Sequence, residues 1–435
     1  MKTVAFCTLG CKVNHYETQA MTELFQARGY TITDFPDPAD IYVINTCTVT
    51  GMSDRKSRQM IRRARKANPQ AIVCVTGCYA QTAPETVRAI GGVDLILGTN
   101  QRGKIVDLVE NYLSAKPQVF VQDALALHGF EPLRISGYSE LTRAYIKIQE
   151  GCNQFCSYCI IPYARGPVRS RPPADVLAEA ETLVQNGFPE IVFAGIHVAS
   201  YGQDLENMDL AELLLRADQI PGLRRIRLSS IEPMTLNGAF IQRIRGCTKL
   251  CHHFHISLQS GCDATLRRMN RKYTTAEYFS IVKGLRENYP DVAVTTDVMV
   301  GFPGETEEEF QATLAFLETV RFADAHIFQY SPRAGTPAAG RRDQIPPQVK
   351  EQRSKLVAAV TKKTKREFLE RFIGQTMTVL FEQPDQNGMF IGKTGNYINV
   401  AVKTSLNLAG QFHPVRLLSV RQDLLYGEII ENKGE

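Results

Sequence analysis

Short apolar runs alternate with amphipathic stretches through the first part of the chain. The strand-like runs, each followed by helical periodicity, lie at residues 4–10, 41–47, 71–77 and 94–98. The predicted helix starts are two capping boxes, Asn14 with Glu17 and Thr82 with Glu85, and an N-cap at Ser53. This alternation predicts a small parallel α/β sheet, forming an N-terminal domain at residues 1–115.

A second series of strand-like and helix-like stretches follows a connector with little periodicity at residues 116–137. Its strand-like runs lie at residues 144–150, 190–196, 225–231, 253–260, 292–301 and 325–331. Six consecutive βα units predict a partial (β/α)6 barrel, similar to a TIM barrel, in a core at residues 138–369. In such a barrel, function resides in the loops at the carboxyl ends of the strands.

The pattern changes again after a basic helical stretch at residues 348–372. Short strand-like runs separated by Gly and Asn lie at residues 377–381, 389–392, 397–402, 412–420 and 425–430. No helical pattern interrupts them, so they predict a small OB-like β-barrel at residues 370–435. The chain is therefore expected to be an α/β protein with a C-terminal β-barrel.

Composition narrows the class of protein. Of the 435 residues, 44% are hydrophobic and 22% are charged, and no apolar run approaches the roughly 18 residues that cross a bilayer. The N-terminus does not match a signal peptide, so we expect a cytoplasmic protein without a membrane partner. Eleven cysteines, an odd number in a reducing compartment, favour metal binding or catalysis over disulfides.

Cys152, Cys156 and Cys159 follow the first predicted barrel strand with the spacing Cys-x3-Cys-x2-Cys. Three thiolates in one compact loop can hold an iron–sulfur cluster and leave one iron open to bind S-adenosylmethionine. Zinc, a Cys-x-x-Cys redox pair and structural cysteines are the alternatives. Structural zinc prefers four ligands, and a redox pair would not require Cys152.

Cys11, Cys47 and Cys78 follow the first three strands of the predicted N-terminal sheet. Because these strands are parallel, the three cysteines should converge at one edge of the sheet. They predict a second cluster held by three thiolates, and three buried apolar cysteines are the alternative. A further candidate metal site comprises Cys247, Cys251, His252, His253 and His255.

Loops at the predicted strand ends form the expected wall of an S-adenosylmethionine pocket, although each of them could be an ordinary loop. Tyr158, an aromatic residue inside the cysteine loop, is also predicted to belong to this pocket. The predicted cofactor-binding residues are Tyr158, Gly195, His197, Ser229, Glu232, Gln259, Val300 and Tyr330.

One helix concentrates positive charge in a chain whose net charge is +5. Its basic residues recur at helical spacing on one face and are Arg55, Arg58, Arg62, Arg65 and Lys66. A solvated surface is the alternative, but only Asp54 is acidic there. The face, together with the OB-like domain, therefore predicts RNA binding.

Motifs at residues 8–14, 45–50, 76–81, 151–162 and 330–337 together resemble the radical methylthiotransferases. The resemblance implies an N-terminal cluster domain, a radical core and a C-terminal TRAM domain, with two 4Fe-4S clusters and S-adenosylmethionine as cofactors. It implies that the cysteines of both sets are catalytic. One S-adenosylmethionine would methylate sulfur at the N-terminal cluster, and another would form the radical that activates an adenine carbon.

The motifs at residues 8–14 and 195–202 look most like the branch that acts on N6-threonylcarbamoyladenosine in tRNA. That branch implies the tRNA anticodon stem-loop as substrate, flavodoxin or ferredoxin as electron donor, and a monomer. The alternatives are the branches acting on isopentenyladenosine or on a ribosomal protein, a non-catalytic iron–sulfur RNA-binding protein, and a zinc-containing structural protein.

Overall fold

The computed structural model describes residues 2–113, 116–138, 142–385 and 387–430. Residues 139–141 of the predicted core and residues 431–435 of the predicted C-terminal domain lie outside the described residues. Among the helices of the described ranges, none combines the length and apolarity needed to cross a bilayer.

The N-terminal domain is built on a parallel sheet with the strand order β2-β1-β3-β4-β5-β6. Its strands are β1 (Thr3–Thr8), β2 (Thr31–Thr33), β3 (Ile41–Thr46), β4 (Ile72–Gly77), β5 (Leu95–Leu97) and β6 (Gln118–Phe120). Its helices are α1 (Lys12–Ala27), α2 (Gly51–Ala67), α3 (Cys78–Thr82), α4 (Pro84–Arg88) and α5 (Ile105–Glu110). All four predicted strands are present, and β6 adds residues of the predicted connector to the sheet.

Helices cover both faces of this sheet, which explains why its strands are continuously apolar. Residues from α1 and α5, including Phe25 and Val109, pack on one face. Residues from α2 and α4, including Ile61 and Val87, pack on the other.

The predicted helix starts differ from those observed. Helix α1 begins after Cys11, so Asn14 and Glu17 lie inside it. Thr50, whose side chain accepts a hydrogen bond from the Ser53 amide, is the N-cap of α2. Helix α4 begins at Pro84 after Ala83, which leaves Thr82 at the end of α3. In each case the capping pattern was displaced by a few residues from the actual boundary.

The central domain is a curved sheet of parallel strands flanked by helices. Its strands are β7 (Ala144–Glu150), β8 (Arg169–Ser170), β9 (Glu190–Gly195), β10 (Arg225–Leu228), β11 (His253–His255), β12 (Ala293–Val300) and β13 (Asp324–Gln329). Its helices are α6 (Ile161–Arg165), α7 (Pro173–Gln185), α8 (Leu210–Asp218), α9 (Gly238–Ile244), α10 (Asp263–Arg268), α11 (Thr275–Asn288), α12 (Glu307–Val320) and α13 (Pro347–Glu370).

Single bridges such as Ile231 to Ile256 join the β7-β9-β10 part of this sheet to the β11-β12-β13 part. The six predicted barrel strands are therefore confirmed, in the predicted parallel order. The short β8 is an addition, and it runs antiparallel to β7.

The C-terminal domain is a closed barrel in the order β14-β15-β16-β18-β17. Its strands are β14 (Thr376–Pro384), β15 (Met389–Thr394), β16 (Asn399–Lys403), β17 (Phe412–Arg421) and β18 (Leu424–Ile429). Neighbouring strands are antiparallel except β16 and β18, which pair in parallel. This closed five-stranded topology confirms the predicted OB-like fold.

Candidate active site

Three cysteines of the N-terminal domain lie at one edge of its sheet. Cys11 is the N-cap of α1, Cys47 directly follows β3, and Cys78 begins α3 directly after β4. Because β1, β3 and β4 are neighbours in a parallel sheet, their carboxyl ends present the three residues together. A Cβ atom on Gly10, whose φ is +112°, would lie 3.1 Å from the Cys47 sulfur. Glycine therefore allows the loop before Cys11 to approach Cys47 closely.

Arg165 of the central domain reaches into this cysteine site. Its Nε atom donates a hydrogen bond to the Cys78 sulfur at 3.1 Å, and its Nη2 atom donates to Asn14 at 2.7 Å. Burial raises the pKa of Cys78, and the Arg165 guanidinium opposes that rise. Arg165 is the last residue of α6, which follows Cys159 in the chain. One short helix thus connects the two sets of cysteines.

A buried ion network surrounds Arg165 and joins the two domains. Lys147 of β7 donates to Glu17 of α1 at 2.9 Å, and Arg102 contacts both Glu17 and Glu131. Burial raises the pKa of Glu17, but Arg102, Arg165 and Lys147 outweigh this effect and hold that pKa well below its usual range. Moving α1 away from the barrel would separate these pairs and leave buried charges without partners, which is strongly destabilising. The network therefore fixes α1 against the barrel.

Cys152, Cys156 and Cys159 lie in the loop after β7. The Cys152 amide donates to the Gly166 carbonyl at 3.0 Å, and the Cys159 amide donates to the Cys156 carbonyl at 2.9 Å. Burial raises the pKa of Cys152 to about 11 and that of Cys159 to about 12. These thiols would release their protons on binding a metal, because a coordinated thiol is a thiolate.

Arg271, which the sequence analysis did not identify, contacts this loop. Its Nη1 atom donates to the Cys156 sulfur at 3.3 Å, and its Nη2 atom donates to both carboxylate oxygens of Glu232 at 2.8 Å. The predicted wall residue Glu232 is therefore held beside the cysteine loop. Each set of cysteines has an arginine donating to one of its sulfur atoms.

The other predicted wall residues lie around the carboxyl ends of the barrel strands. The Tyr158 ring packs edge-on against Phe302 with a centroid distance of 6.3 Å, and Phe302 packs against Tyr330 at 5.4 Å. Four more predicted residues lie at or just beyond strand ends: Gly195 in β9, Ser229 after β10, Gln259 after β11 and Val300 in β12.

His197 and Ser229 each carry a buried polar atom, Nε2 and Oγ respectively, that has no hydrogen-bond partner among the described residues. The His197 amide donates to Gln149 Oε1 at 2.7 Å, and the ring Nδ1 atom contacts Ser200. Burial lowers the pKa of His197, which favours the neutral ring. An unpaired buried polar group costs about 1–3 kcal/mol. These two atoms therefore fit a polar ligand such as S-adenosylmethionine.

The two sets of cysteines also fit iron–sulfur clusters by their chemistry. Within the described parts of the chain, no three His, Cys, Asp or Glu side chains come close enough to hold one metal ion. A cluster binds one thiolate per iron, so its ligands need not approach each other as closely as ligands of a single ion.

The alternative site around Cys247 and Cys251 is not supported, because its side chains face different partners. The Cys247 sulfur contacts the Leu214 carbonyl at 3.6 Å. The His253 ring stacks on Tyr397 with a centroid distance of 4.4 Å.

Helix α2 presents part of its predicted basic face to solvent. Arg55, Arg62 and Lys66 are exposed. Arg58 is half-buried, and its Nη1 atom donates to the Tyr79 hydroxyl at 3.1 Å.

Arg65 of the same helix makes several contacts within its own domain. Its guanidinium pairs with Asp94 at 2.5 Å and donates to the carbonyls of Gly92, Pro69 and Ala71. These contacts anchor the end of α2 to the sheet.

Arg333, in the motif at residues 330–337, provides a further contact between domains that the sequence analysis missed. Its Nη2 atom donates to Asp54 at 2.7 Å and to Thr48 at 2.5 Å. Thr48 directly follows Cys47, so this motif braces the N-terminal cysteine site.

Known protein families match the three domains separately. Residues 3–98 match the uncharacterized protein family UPF0004, residues 146–317 match the radical SAM superfamily, and residues 370–430 match the TRAM domain.

Curated relatives match almost the whole chain. The threonylcarbamoyladenosine tRNA methylthiotransferase MtaB of Bacillus subtilis is 42% identical over 99% of this chain and 97% of its own length. The protein of that name from Thermotoga maritima is 37% identical over 99% of both chains. The tRNA-2-methylthio-N(6)-dimethylallyladenosine synthase of Acetivibrio thermocellus is 36% identical over 97% of this chain and 90% of its own.

Among solved structures, the radical S-adenosylmethionine methyltransferase TsrM of Kitasatospora setae has a similar fold. The TM-score is 0.55 at 15% identity, covering 78% of this chain and 77% of TsrM.

Proposed function

The chain belongs to the family of radical S-adenosylmethionine methylthiotransferases, and from this premise we propose that it adds a methylthio group to the adenine ring of N6-threonylcarbamoyladenosine, beside the anticodon of tRNA. The relatives named for this nucleoside support the proposal with identities of up to 42%, against 36% for the relative named for dimethylallyladenosine.

The enzyme uses two 4Fe-4S clusters and S-adenosylmethionine. We assign one cluster to Cys11, Cys47 and Cys78 and the other to Cys152, Cys156 and Cys159. When bound, these groups supply sulfur transfer and radical formation. The protein itself positions them: Arg165 and Arg271 donate to sulfur ligands, and His197 and Ser229 offer unpaired polar atoms to the cofactor.

The observation that carries the proposal is the direct connection between the two sets of cysteines. Helix α6 begins two residues after Cys159 and ends at Arg165, whose guanidinium contacts Cys78. A methylthio transfer needs both activation of an adenine carbon and delivery of sulfur to that carbon. Two sites held in fixed relation by a buried network can act on the same base.

Its cellular setting is part of the same proposal. We propose that the enzyme works in the cytoplasm as a monomer and that flavodoxin or ferredoxin reduces its clusters. The exposed residues of α2 and the C-terminal barrel would bind the anticodon stem-loop, because basic faces and OB-like barrels are common nucleic-acid surfaces.

A comparison of Cys47→Ala and Cys156→Ala tests the assignment. After anaerobic reconstitution, we expect the native enzyme to bind about eight irons, four for each cluster. Cys156→Ala should abolish formation of 5′-deoxyadenosine, whereas Cys47→Ala should retain it and lose methylthiolation. The products are measured by mass spectrometry of tRNA nucleosides. Cys262→Ala is the control, since Cys262 lies outside both sets.

Equal loss of 5′-deoxyadenosine in both variants would overturn the division of roles. Methylthiolation of tRNA carrying dimethylallyladenosine, with none on tRNA carrying threonylcarbamoyladenosine, would assign the enzyme to the other branch. Zinc in place of iron in anaerobically purified protein would contradict the cluster assignment.

A further inference from the structure

A cavity of about 330 Å³ lies between strands β10 to β13, helix α13, the first turn of α1 and the C-terminal domain. Its wall combines residues from all three domains, including Lys12, Ser229, Thr295, Lys393 and Tyr397. Lys12 directly follows Cys11, and Ser229 belongs to the predicted cofactor wall. The cavity therefore borders the C-terminal barrel, and through Lys12 and Ser229 it also adjoins the proposed active site.

Cations outnumber carboxylates where this cavity meets the C-terminal domain. Three arginines, Arg143, Arg225 and Arg227, lie within 3.7 Å of the single carboxylate of Glu190. Arg143 also pairs with Glu382. The three guanidinium groups thus have two carboxylates between them, and both Arg227 and Glu190 are buried.

Lys12 and Lys393 add two positive charges to this region, and among the described residues neither pairs with a carboxylate. Lys12 stands 5.8 Å from the Tyr145 ring centroid. Lys393 donates to a side-chain amide oxygen and stands 4.3 Å from the Tyr397 ring centroid. Burial, together with neighbouring arginines, lowers the pKa of Lys393 to about 8. Glu382 and Glu190 oppose this shift without offsetting it, as expected for a buried cation that has no carboxylate in direct contact.

Other charged groups on the cavity wall are paired, so Lys12 and Lys393 differ from them in having no carboxylate partner. Lys365 contacts Asp324 at 2.8 Å, and His255 contacts Asp297 at 3.1 Å. The excess positive charge is therefore confined to the end of the cavity that contains Lys12 and Lys393. An anion entering there would gain charge-assisted hydrogen bonds in a partly desolvated site.

We propose that Lys12 and Lys393 bind the carboxylate of the amino-acid substituent on the target adenosine. This assignment rests on the proposed function, in which that substituent is the threonylcarbamoyl group. A backbone phosphate has similar chemistry, but a cavity of about 330 Å³ suits a base with its substituent better than a phosphodiester chain. Because Lys12 adjoins Cys11, a carboxylate bound there keeps the base beside the proposed sulfur-donating site.

This arrangement also explains how a neutral substituent would be rejected. A dimethylallyl group would occupy the same space without neutralising either ammonium group. Specificity would then come from leaving buried charges without a partner, which is an effective way to disfavour a competing substrate.

The test measures binding of three anticodon stem-loop RNAs to the reconstituted enzyme. One carries threonylcarbamoyladenosine, the second its carboxamide, and the third unsubstituted adenosine. We expect the native enzyme to bind the acid about 10- to 100-fold more tightly than the carboxamide, as for hydrogen bonds to a charged group. Lys12→Gln and Lys393→Gln should each lose most of this preference and bind the carboxamide as the native enzyme does.

Lys355→Gln is the control, because Lys355 lies on α13 as Lys365 does but is exposed and pairs with Glu351; the preference of this variant for the acid should persist. Iron content and the visible spectrum check that Lys12→Gln retains both clusters, and Lys393→Gln tests the proposal away from the cysteines.

Equal binding of acid and carboxamide by the native enzyme would overturn the proposal. Equal weakening of all three RNAs in the lysine variants would indicate a phosphate contact and overturn it as well. Methylthiolation of the RNA that carries threonylcarbamoyladenosine is measured in the same preparation. It distinguishes failure of the carboxylate site from failure of the proposed function. Product without acid preference rejects only the carboxylate site, whereas absence of product rejects the proposed function.

Discussion

Arg165, at the end of the helix that follows the Cys152–Cys159 loop, contacts the N-terminal cysteine site through a fully buried guanidinium. It donates to the Cys78 sulfur and contacts the carboxylates of Glu17 and Glu150. Hydrogen bonds to the sulfur atoms of an iron–sulfur cluster help to set its reduction potential. Arg165 is therefore positioned to influence the cluster that we assign to the N-terminal cysteines.

Replacing Arg165 by Lys would keep the buried charge but remove the planar donor that reaches Cys78. We expect the reduction potential of the N-terminal cluster to fall by up to about 60 mV, the limit set by a hydrogen bond of about 1.5 kcal/mol that stabilises only the reduced cluster. Potentiometric titration followed by electron paramagnetic resonance measures the change. Arg271→Lys should instead shift the other cluster, and a variant that shifts both clusters equally would contradict this separation.

The sequence predicted the cysteines better than the residues that support them. Each of these cysteines lies a few residues after a strand at most or in a compact loop, so its place relative to the strands could be predicted from local spacing. Asn14 and Glu17 have the spacing of a capping box, but both contact Arg165, which lies 151 and 148 residues away in the chain. Local patterns do not encode such partners.

The basic face of helix α2 also has contacts that local sequence patterns do not reveal. Its periodicity correctly predicted a helix with several exposed basic residues, yet Arg62 and Arg65 have different environments. Arg62 is exposed, whereas Arg65 is bound to Asp94 and to backbone carbonyls. Those carbonyls belong to turns whose position depends on the folded sheet, so helical spacing alone could not separate the two residues.

The two arginines give a matched pair of substitutions in one helix. Arg62→Ala should weaken tRNA binding and reduce the slope of log affinity against log salt by about one, since one phosphate contact is lost. Arg65→Ala should leave that slope unchanged and destabilise the fold by about 1 kcal/mol, through the loss of partly buried hydrogen bonds. Filter binding at several salt concentrations and denaturant unfolding measure the two effects. An unchanged slope in Arg62→Ala would indicate that this face is an ordinary solvated surface.

The arrangement of the domains depends on long-range contacts that strand patterns do not reveal. Arg225 of β10 donates to the carbonyls of Thr378 and Lys393 in the C-terminal barrel, at 2.6 and 2.9 Å. Arg227 donates to the carbonyl of Gly395 at 3.1 Å. Strand periodicity predicted each domain separately because it reports on each domain's own core. These arginines occupied ordinary strand positions, so their contacts between domains could not be predicted.

Arg225→Ala would remove both hydrogen bonds from Arg225 to the C-terminal barrel and leave the carbonyls of Thr378 and Lys393 without these donors, while Arg227 keeps its own bond. We expect faster amide hydrogen exchange in β14 and β15, measured by mass spectrometry, with exchange in β3 and β4 unchanged, because the N-terminal sheet has its own core. Arg243→Ala is the control: its ion pair with Asp209 is exposed and contributes less than about 1 kcal/mol.

Since Lys393 and Tyr397 belong to the loosened domain and line the cavity, Arg225→Ala should also reduce the preference for the carboxylate-bearing RNA. Unchanged exchange in β14 and β15 would mean that other contacts hold the C-terminal barrel in place.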